Sequence, residues 1–478
     1  MPITQRQLVR EYVSAIHDGE AALFVGAGMS RASGFVDWKG LLRGCAEEVG
    51  LDLEREQDLV AVAQYYLNFR SNNRWRLNQV LLKEFDRPGS LTENHEIMAR
   101  LPLSTIWTTN FDTLLEQALS KAQRKISVKA EDAGISRPTH RNEVVLYKMH
   151  GDIARPQEIV ICKSDYERYA HRHPIFQNAL EADLVAKTFL FLGFSFSDPH
   201  LNYMLGHLHA LLEGNQRSHF AIMRRARENF SLGEEGKRQY LYERNKQELQ
   251  IQELERYNIQ TCLIDRFSEV AEVLQAIEVG AYARNVFVSG SANKYETDFD
   301  EDRMRDLCML LGELLMERSY KLISGFGLNI GDSIIKGALL KLYEQKRPGI
   351  EENFMLRPFP RSLPANISEA EFLDRYRRNM ISQCGIAIFI SGTSRSNVVS
   401  SGVMDEYRIS RLLKKTPIPI GATGFAAEAI WKEVKNDFDA VYGGAVPMSL
   451  FEKLNDRSLK NSEILSAVFE IIDRVGKH

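Results

Sequence analysis

Cysteine is scarce and scattered in this chain. Cys45, Cys162, Cys262, Cys308 and Cys384 are the five among 478 residues, and no two make a CxxC pair. An odd, dispersed set excludes a disulfide frame and a zinc knuckle, and it points to reduced thiols in a cytoplasmic protein. An excess of either charge is missing too: 61 Lys and Arg stand against 64 Asp and Glu, a net charge of −3. A dedicated nucleic-acid binder carries a basic excess, so no nucleic-acid partner is expected. The apolar runs are of strand length, far below the ~20 residues of a membrane span. The opening segment, MPITQRQLVREYVSAIHDGE, is polar and amphipathic with no apolar signal core, so no membrane partner is expected. What is present is ordinary for a folded chain: 44% hydrophobic and 26% charged residues leave neither long disorder nor a fibrous repeat. At roughly 100–200 residues per domain, the length implies two to four domains.

Short β-branched or apolar runs alternate with longer amphipathic segments, the pattern of α/β architecture with parallel strands. Strands are expected at Ala21–Val25, Ser104–Thr108, Val144–Lys148, Glu158–Ile161, Phe189–Gly193, His219–Met223 and Ile259–Ile264. Helices are expected at Leu59–Phe69, Asn73–Phe85 and Leu114–Ala122, and the charged stretch Arg224–Arg256 reads as a solvated helix or hairpin excursion. After Ala283 the rhythm restarts with NVFVS (Asn285–Ser289), and strands follow at Tyr320–Ser324, Gly385–Ser391 and Ile418–Gly421. The expected fold class is therefore α/β, with two doubly wound, Rossmann-like parallel-sheet domains over 1–283 and 284–478.

Chemistry-bearing residues gather at the carboxyl ends of the expected strands, where open α/β sheets bind ligands. The first strand runs into Gly26-Ala27-Gly28-Met29-Ser30, a glycine turn expected to lead into a helix and bring backbone N–H groups up to a pyrophosphate. A dehydrogenase fingerprint would need glycine where Arg31 stands. Thr109-Asn110-Phe111-Asp112, His150-Gly151 and Gly193-Phe194-Ser195-Phe196-Ser197-Asp198 end three further strands. Asn110 or Asp112 could equally cap a helix, and Gly193–Asp198 could be a plain turn. In the second half, Ser289-Gly290-Ser291, Gly325-Phe326-Gly327-Leu328 and Gly421-Ala422-Thr423-Gly424 are three more glycine turns after strands, which favours a nucleotide site. Arg375, Arg377 and Arg378 lie on one expected helix, and arginine's planar fork suits phosphate; Glu406 could accept from a ribose hydroxyl. No histidine lies between residues 220 and 477, so this half reads as a sensor with phosphate grips and little catalytic machinery.

The series GAGMS, TNFD, HG and GFS resembles the NAD-binding and catalytic core of the sirtuin family over the first expected domain. Two departures weigh against protein-lysine deacylation. The cysteines cannot build the usual four-cysteine zinc module, and Val36-Asp37-Trp38-Lys39 replaces the usual Pro-Asp-Phe-Arg. The resemblance implies cleavage of the nicotinamide–ribose bond of NAD through an oxocarbenium-like state. Asn110 would position the water or a ribose hydroxyl, and His150 would accept a proton, its ordinary pKa of about 6.5 suiting neutral pH. Asp112 would orient its neighbours. Gly26, Ala27, Gly28, Ser30, Gly193, Ser195 and Asp198 would contact the dinucleotide, the last two through ribose or phosphate. NAD is substrate here, and neither a further cofactor nor a metal is expected.

The second half resembles the SLOG family of nucleotide-sensing domains through SGSA, SGFGLNIG, YRR and GATG. A sirtuin-like NAD hydrolase followed by a SLOG domain resembles the effector family of the bacterial Thoeris anti-phage system. That resemblance extends through LTENH (Leu91–His95), YKMHGD (Tyr147–Asp152), KTFLFLGFSFSDP (Lys187–Pro199) and LRPFP (Leu356–Pro360). It implies a partner TIR-domain enzyme that makes a cyclic ADP-ribose isomer, which binds the SLOG domain and switches on NAD depletion. Arg377 and Glu406 would contact that signal, with Arg395 near it. A homo-tetramer or higher assembly is also implied. A protein deacylase and a catalytically silent nucleotide-binding scaffold are the alternatives.

Overall fold

Two parallel sheets organise the computed structural model, which describes residues 2–56, 58–140, 143–196, 198–212, 214–228, 233–346, 353–360, 368–393 and 399–476. Each sheet belongs to its own unit, Met1–Glu278 or Val279–His478. The division falls within the helix Glu269–Ala281.

In the first unit the strands are β1 (Ala21–Val25), β2 (Thr105–Thr108), β3 (Lys125–Lys129), β4 (Glu143–Lys148), β5 (Thr188–Leu192), β6 (His219–Arg224) and β7 (Ile259–Ile264). Their order is β3-β4-β2-β1-β5-β6-β7, with parallel pairing throughout. AALFV in β1 and TFLFL in β5 are buried at every position, because central strands of a parallel sheet are covered on both faces. Leu23 of β1 pairs with Ile106 of β2 on one side and Leu190 of β5 on the other. The chain reverses its direction across the sheet between β1 and β5. That makes their carboxyl ends the switch-point crevice.

The second unit repeats the scheme with β8 (Asn285–Ser291), β9 (Lys321–Ser324), β10 (Phe354–Leu356), β11 (Ile386–Ser391) and β12 (Thr416–Ile420), in the order β10-β9-β8-β11-β12. Its switch point lies between β8 and β11. Helices Glu301–Glu317 and Gly331–Glu344 press together backbone to backbone. A Cβ on Gly312 would stand 2.0 Å from the Ile334 carbonyl, and one on Gly337 2.0 Å from that of Met309.

Several expectations are corrected. Glu158–Ile161 is no strand: a 3₁₀ turn, Pro156–Glu158, runs into an irregular buried stretch. Its backbone groups find local partners in place of a ladder, Val160 N–H donating to the His150 carbonyl and Ile161 N–H to Asp165 Oδ2. Of the two readings of Arg224–Arg256, the structure shows the helix, over Gly233–Arg256. Strands β3 and β10 add to the expected set. KISVK of β3 is a polar, partly exposed edge strand without the apolar run of an interior one, and FML of β10 is three residues long. No described helix is long and apolar enough to cross a membrane.

The close helix crossing makes a direct prediction. Gly337→Ala forces the two helices apart and costs about 1–3 kcal/mol of stability. Urea unfolding followed through Trp431 should show an earlier midpoint, and an unmoved midpoint would refute the contact's importance.

Candidate functional site

At the first switch point a chain of buried polar groups links β1 and β2. Thr108 Oγ1 donates to the Val25 carbonyl (2.8 Å) and accepts from Asn110 N–H (3.0 Å). Asn110 Nδ2 then donates to the Gly26 carbonyl (3.2 Å) and to Ser30 Oγ (3.0 Å). Ser30 Oγ donates to Asp112 Oδ2 (2.7 Å), while Asp112 Oδ1 accepts Leu114 N–H (3.0 Å) at the start of helix Leu114–Lys121. Asn110, Ser30 and Asp112 are all buried. Asn110 Oδ1 has no hydrogen-bond partner among the described residues, an acceptor left for something other than the protein. Beside it lies a cavity of about 20 Å³ lined by Ser30, Val36, Trp38, Phe85, Asn110 and Asp112. That is room for one water, so a dinucleotide enters only if the lining moves.

The glycine turn differs from its expected form. GAGMS does not open an α-helix; it makes two 3₁₀ turns, Ala27–Met29 and Arg31–Ser33. The next helix is Trp38–Glu48, capped by Asp37, whose Oδ1 accepts Gly40 N–H (2.9 Å). Gly26 and Gly28 direct their N–H groups to the Leu192 and Gly193 carbonyls (2.8 and 2.9 Å). A Cβ on Gly26 would meet the Gly193 oxygen at 2.5 Å. In this conformation the glycines join two strand ends.

His150 follows β4 and is 1% exposed. Its Nε2 lies 3.3 Å from Asp198 Oδ2, within ion-pair reach but off the line of a hydrogen bond, and neither ring nitrogen has a hydrogen-bond partner among the described residues. Tyr166 donates to the same Oδ2 (3.1 Å), and Asp198 Oδ1 accepts Leu201 N–H (2.9 Å) in helix Pro199–Leu212. His200 stacks on Tyr166 at 5.0 Å. Burial pushes the His150 pKa below its ordinary value, with the Asp198 carboxylate opposing; burial also pushes His200 down to about 4. Ser195 is exposed, and its carbonyl accepts from Gln250 Nε2 (3.1 Å).

Two further residues bear on this site and were not singled out from the sequence. Lys148, buried at the end of β4, donates to the carbonyls of Phe111 (3.2 Å) and Asp112 (2.7 Å). The same ammonium pairs with Glu116 (2.8 Å) and Asp152 (2.6 Å), so it holds the Asn110–Asp112 segment to β4. A lysine inside the alternating strand EVVLYK is the signal that could have found it. His95 is buried, its Nδ1 2.7 Å from Thr92 Oγ1; burial lowers its pKa and the Asp112 charge opposes.

In the second unit Ser289 Oγ donates to Glu406 Oε2 (2.5 Å). Arg377 Nε lies 3.6 Å from Glu406 Oε1, and Arg377 Nη1 lies 3.6 Å from Asp405 Oδ2. Arg377 Nε has no hydrogen-bond partner among the described residues, and the guanidinium sits 5.5 Å from the Phe359 ring centre. Burial pushes the Glu406 carboxyl above its usual range, against the pull of Ser289 and Arg377. Gly327 lies directly on Gly290, where a Cβ would be 1.6 Å from the Gly290 oxygen. Between the loop glycines, Phe326 is held at φ +58° with its ring exposed, and Leu328 is exposed as well. Ser291 Oγ donates to the Thr393 carbonyl (3.0 Å). Gly421 and Ala422 are buried, and the Ala422 carbonyl accepts from Arg457 (3.2 Å). Arg395 lies outside the described residues. A cleft of about 690 Å³ between helices Glu369–Ile381 and Ser401–Leu412 is lined by Asp374, Arg377, Arg378, Asp405 and Arg408. Arg377 is the one residue it shares with the expected signal set.

The second site falls within one family match, and the Asn110–Asp112, His150 and Gly193–Asp198 parts of the first fall within another. Residues 104–262 match the SIR2-like domain, and residues 269–475 match the Sir2- and TIR-associating SLOG family. Over nearly its whole length the chain is similar to the NAD(+) hydrolase ThsA of Bacillus cereus (strain MSX-D12). The two are 38% identical over 473 residues, 97% of each chain. The NAD(+) hydrolase ThsA of Acinetobacter baumannii (strain 532279) is 35% identical over 480 residues, 98% of each chain. The chain belongs to the ThsA family. The Defense-associated sirtuin 2 of Bacillus subtilis is more distant, 24% identical over 226 residues, 45% of this chain and 22% of that one. The SIR2-like match begins at residue 104 and so omits β1 and its glycine turn, which this ThsA-family fold nonetheless places against β5. All five cysteines are buried, and no group of three or more His, Cys, Asp or Glu among the described residues is placed to hold a metal.

The Lys148 lock can be tested alone. Lys148→Met leaves the half-buried Glu116 and Asp152 without their counter-charge, and the expected loss is about 3–5 kcal/mol. Chemical denaturation of the full chain measures it; wild-type stability in the variant would show that the ammonium does not secure the segment.

Proposed function

We propose that this protein hydrolyses NAD to ADP-ribose and nicotinamide when a cyclic ADP-ribose isomer binds its second unit. The observation that carries the reading is the near full-length similarity to NAD(+) hydrolases of the ThsA family. It is supported by the buried Asn110–Ser30–Asp112 chain at a switch-point crevice. The nicotinamide of NAD is a cationic leaving group and departs neutral without an acid, so the protein's task is to hold the ribose and place one water below C1′. Asn110 Oδ1, buried and unpaired, accepts from that water or from a ribose hydroxyl. His150 takes up the proton. Asp112 fixes Ser30 and, through it, the Asn110 amide. Gly26, Ala27, Gly28, Gly193 and Ser195 border the dinucleotide once the lining at Val36, Trp38 and Phe85 parts.

On this reading the second unit is the sensor. Ser289, Gly290 and Ser291 after β8, the Gly325–Leu328 loop, Arg377, Arg395, Glu406, Gly421 and Ala422 form its nucleotide site. Glu406 accepts from a ribose hydroxyl and Arg377 donates to the pyrophosphate. To swing a switch from 1:99 to 99:1 the signal must favour the active state by about 5.5 kcal/mol. A pyrophosphate held by Arg377 together with several backbone N–H groups, in contacts made only in the active state, would supply that. The messenger would come from a TIR-domain enzyme, the working form would be a homo-tetramer or larger, and the setting would be the bacterial cytoplasm under phage attack.

Nicotinamide release from NAD, with and without cyclic ADP-ribose isomers, tests both halves. Asn110→Ala and His150→Ala should abolish release while the fold and assembly persist; full turnover by either ends their assignment. Arg377→Ala should weaken signal binding by about 2–5 kcal/mol, ~30- to ~4,000-fold in the activating concentration. Normal activation of that variant would move the signal site elsewhere.

A further inference from the structure

Asp198 was expected to touch ribose or phosphate, yet its carboxylate faces His150. In the sheet, β4 and β5 are separated by β2 and β1, so the segment after β5 must cross two strand ends to bring Asp198 to a histidine that follows β4. Aromatic packing secures the crossing. Phe194 lies 5.2 Å from Phe24, and Phe196 lies 5.1 Å from Phe191. Phe196 is buried at φ +54°, a conformation a bulky side chain seldom adopts unless its surroundings impose it, and its carbonyl accepts from Asn202 Nδ2 (3.0 Å). Beyond this bend, Asp198 faces the imidazole.

We propose that Asp198 is the positioning carboxylate of His150, a role that rests on the NAD-hydrolase reading. At 3.3 Å the carboxylate favours the tautomer with its proton on Nε2 and leaves the Nδ1 lone pair as the base, and the contact tightens to a hydrogen bond once the ring is charged. When water attacks C1′, the new C1′–O bond forms as the C1′–N bond breaks, and nicotinamide leaves neutral with the bonding pair. The water's proton passes to Nδ1, and the resulting imidazolium keeps its Nε2–H on the carboxylate. The groups facing His150 are Asp198 on this segment, Tyr166 and Tyr169 on helix Lys163–Arg172, His173 at the start of the following helix, and His200 on helix Pro199–Leu212. Burial raises both tyrosines and lowers both other histidines, which leaves these groups neutral near neutral pH. Of the groups facing His150, Asp198 is the one that favours its charged form.

Asp198→Asn tests this with little disturbance, because asparagine caps a helix as well as aspartate does. In the full chain activated by cyclic ADP-ribose isomers, kcat for NAD should fall by roughly 10- to 10³-fold with KM little changed. The acid limb of the pH profile should also move to lower pH, since removing the carboxylate lowers the imidazole pKa; a merely structural lesion would leave that limb in place. A raised KM with unchanged kcat and an unmoved limb would make Asp198 a substrate contact and overturn the proposal. A second readout needs no turnover: ¹³C-histidine-labelled protein, with the His150 signal assigned through His150→Gln, is titrated with and without Asp198→Asn. A titration of His150 that Asp198→Asn leaves unshifted overturns the proposal even if the wild type cleaves NAD. A wild type that never cleaves NAD defeats the hydrolase reading separately.

Discussion

The contact on which the first site depends is made without side chains. Gly26, Gly28 and Gly193 let the ends of β1 and β5 touch through their backbones, and a methyl group at any of the three would meet main-chain atoms at 2.9 Å or less. Because those ends meet, the Gly26 carbonyl is positioned to accept from Asn110, and Asn110 is held to Ser30 and so to Asp112. The polar chain is continuous from one strand end to the next helix, so displacing one member disturbs the others. That is why the asparagine amide stands in one orientation, with Nδ2 engaged and Oδ1 spare.

The second unit applies the same device to a different chemistry. Gly327, in the loop after β9, rests on Gly290 of β8, and Gly290 in turn lies against the Ile390 carbonyl of β11 across the switch point, again because no Cβ intervenes. Here the polar chain is short, Ser289 to Glu406 to Arg377, and it ends in a guanidinium whose Nε faces Glu406 at 3.6 Å without a hydrogen bond. The first chain ends in a spare acceptor and the second in a spare donor. A neutral amide oxygen suits a water or hydroxyl, whereas a guanidinium suits an anion. The two units therefore share a scaffold but present opposite hydrogen-bonding faces.

Much of this was legible in the residues. Buried strands such as AALFV, TFLFL and IAIFIS declare themselves by apolar runs too short for anything but parallel-sheet interiors, and the motifs that follow β1, β2, β4 and β5 share one sheet edge by topology alone. What could not be read is set by non-local partners. Glu158–Ile161 is as apolar as a strand, but its backbone bonds go to His150 and the Asp165 side chain. KISVK looks like a loop because an edge strand needs no apolar face. The glycine turn carries the expected residues, yet its N–H groups serve Leu192 and Gly193, a pairing that depends on which strand lies alongside. Asp198 could not be assigned from spacing, since nothing local indicates that its segment spans two strand ends.

The burial of His150 gives the reason for its carboxylate neighbour. Desolvation alone lowers an imidazole's pKa, which keeps it unprotonated and available but makes it a poor proton acceptor, because basicity falls with pKa. An adjacent carboxylate reverses part of that loss, and it does so most where the dielectric is low, as it is for a ring 1% exposed. The same burial would penalise an unpaired carboxylate, and Asp198 is spared by Tyr166 and Leu201 N–H. A charge beside a buried imidazole in turn requires its own donors. Asp198, on the segment that carries Phe196, thus meets at one imidazole a tyrosine supplied by a separate helix.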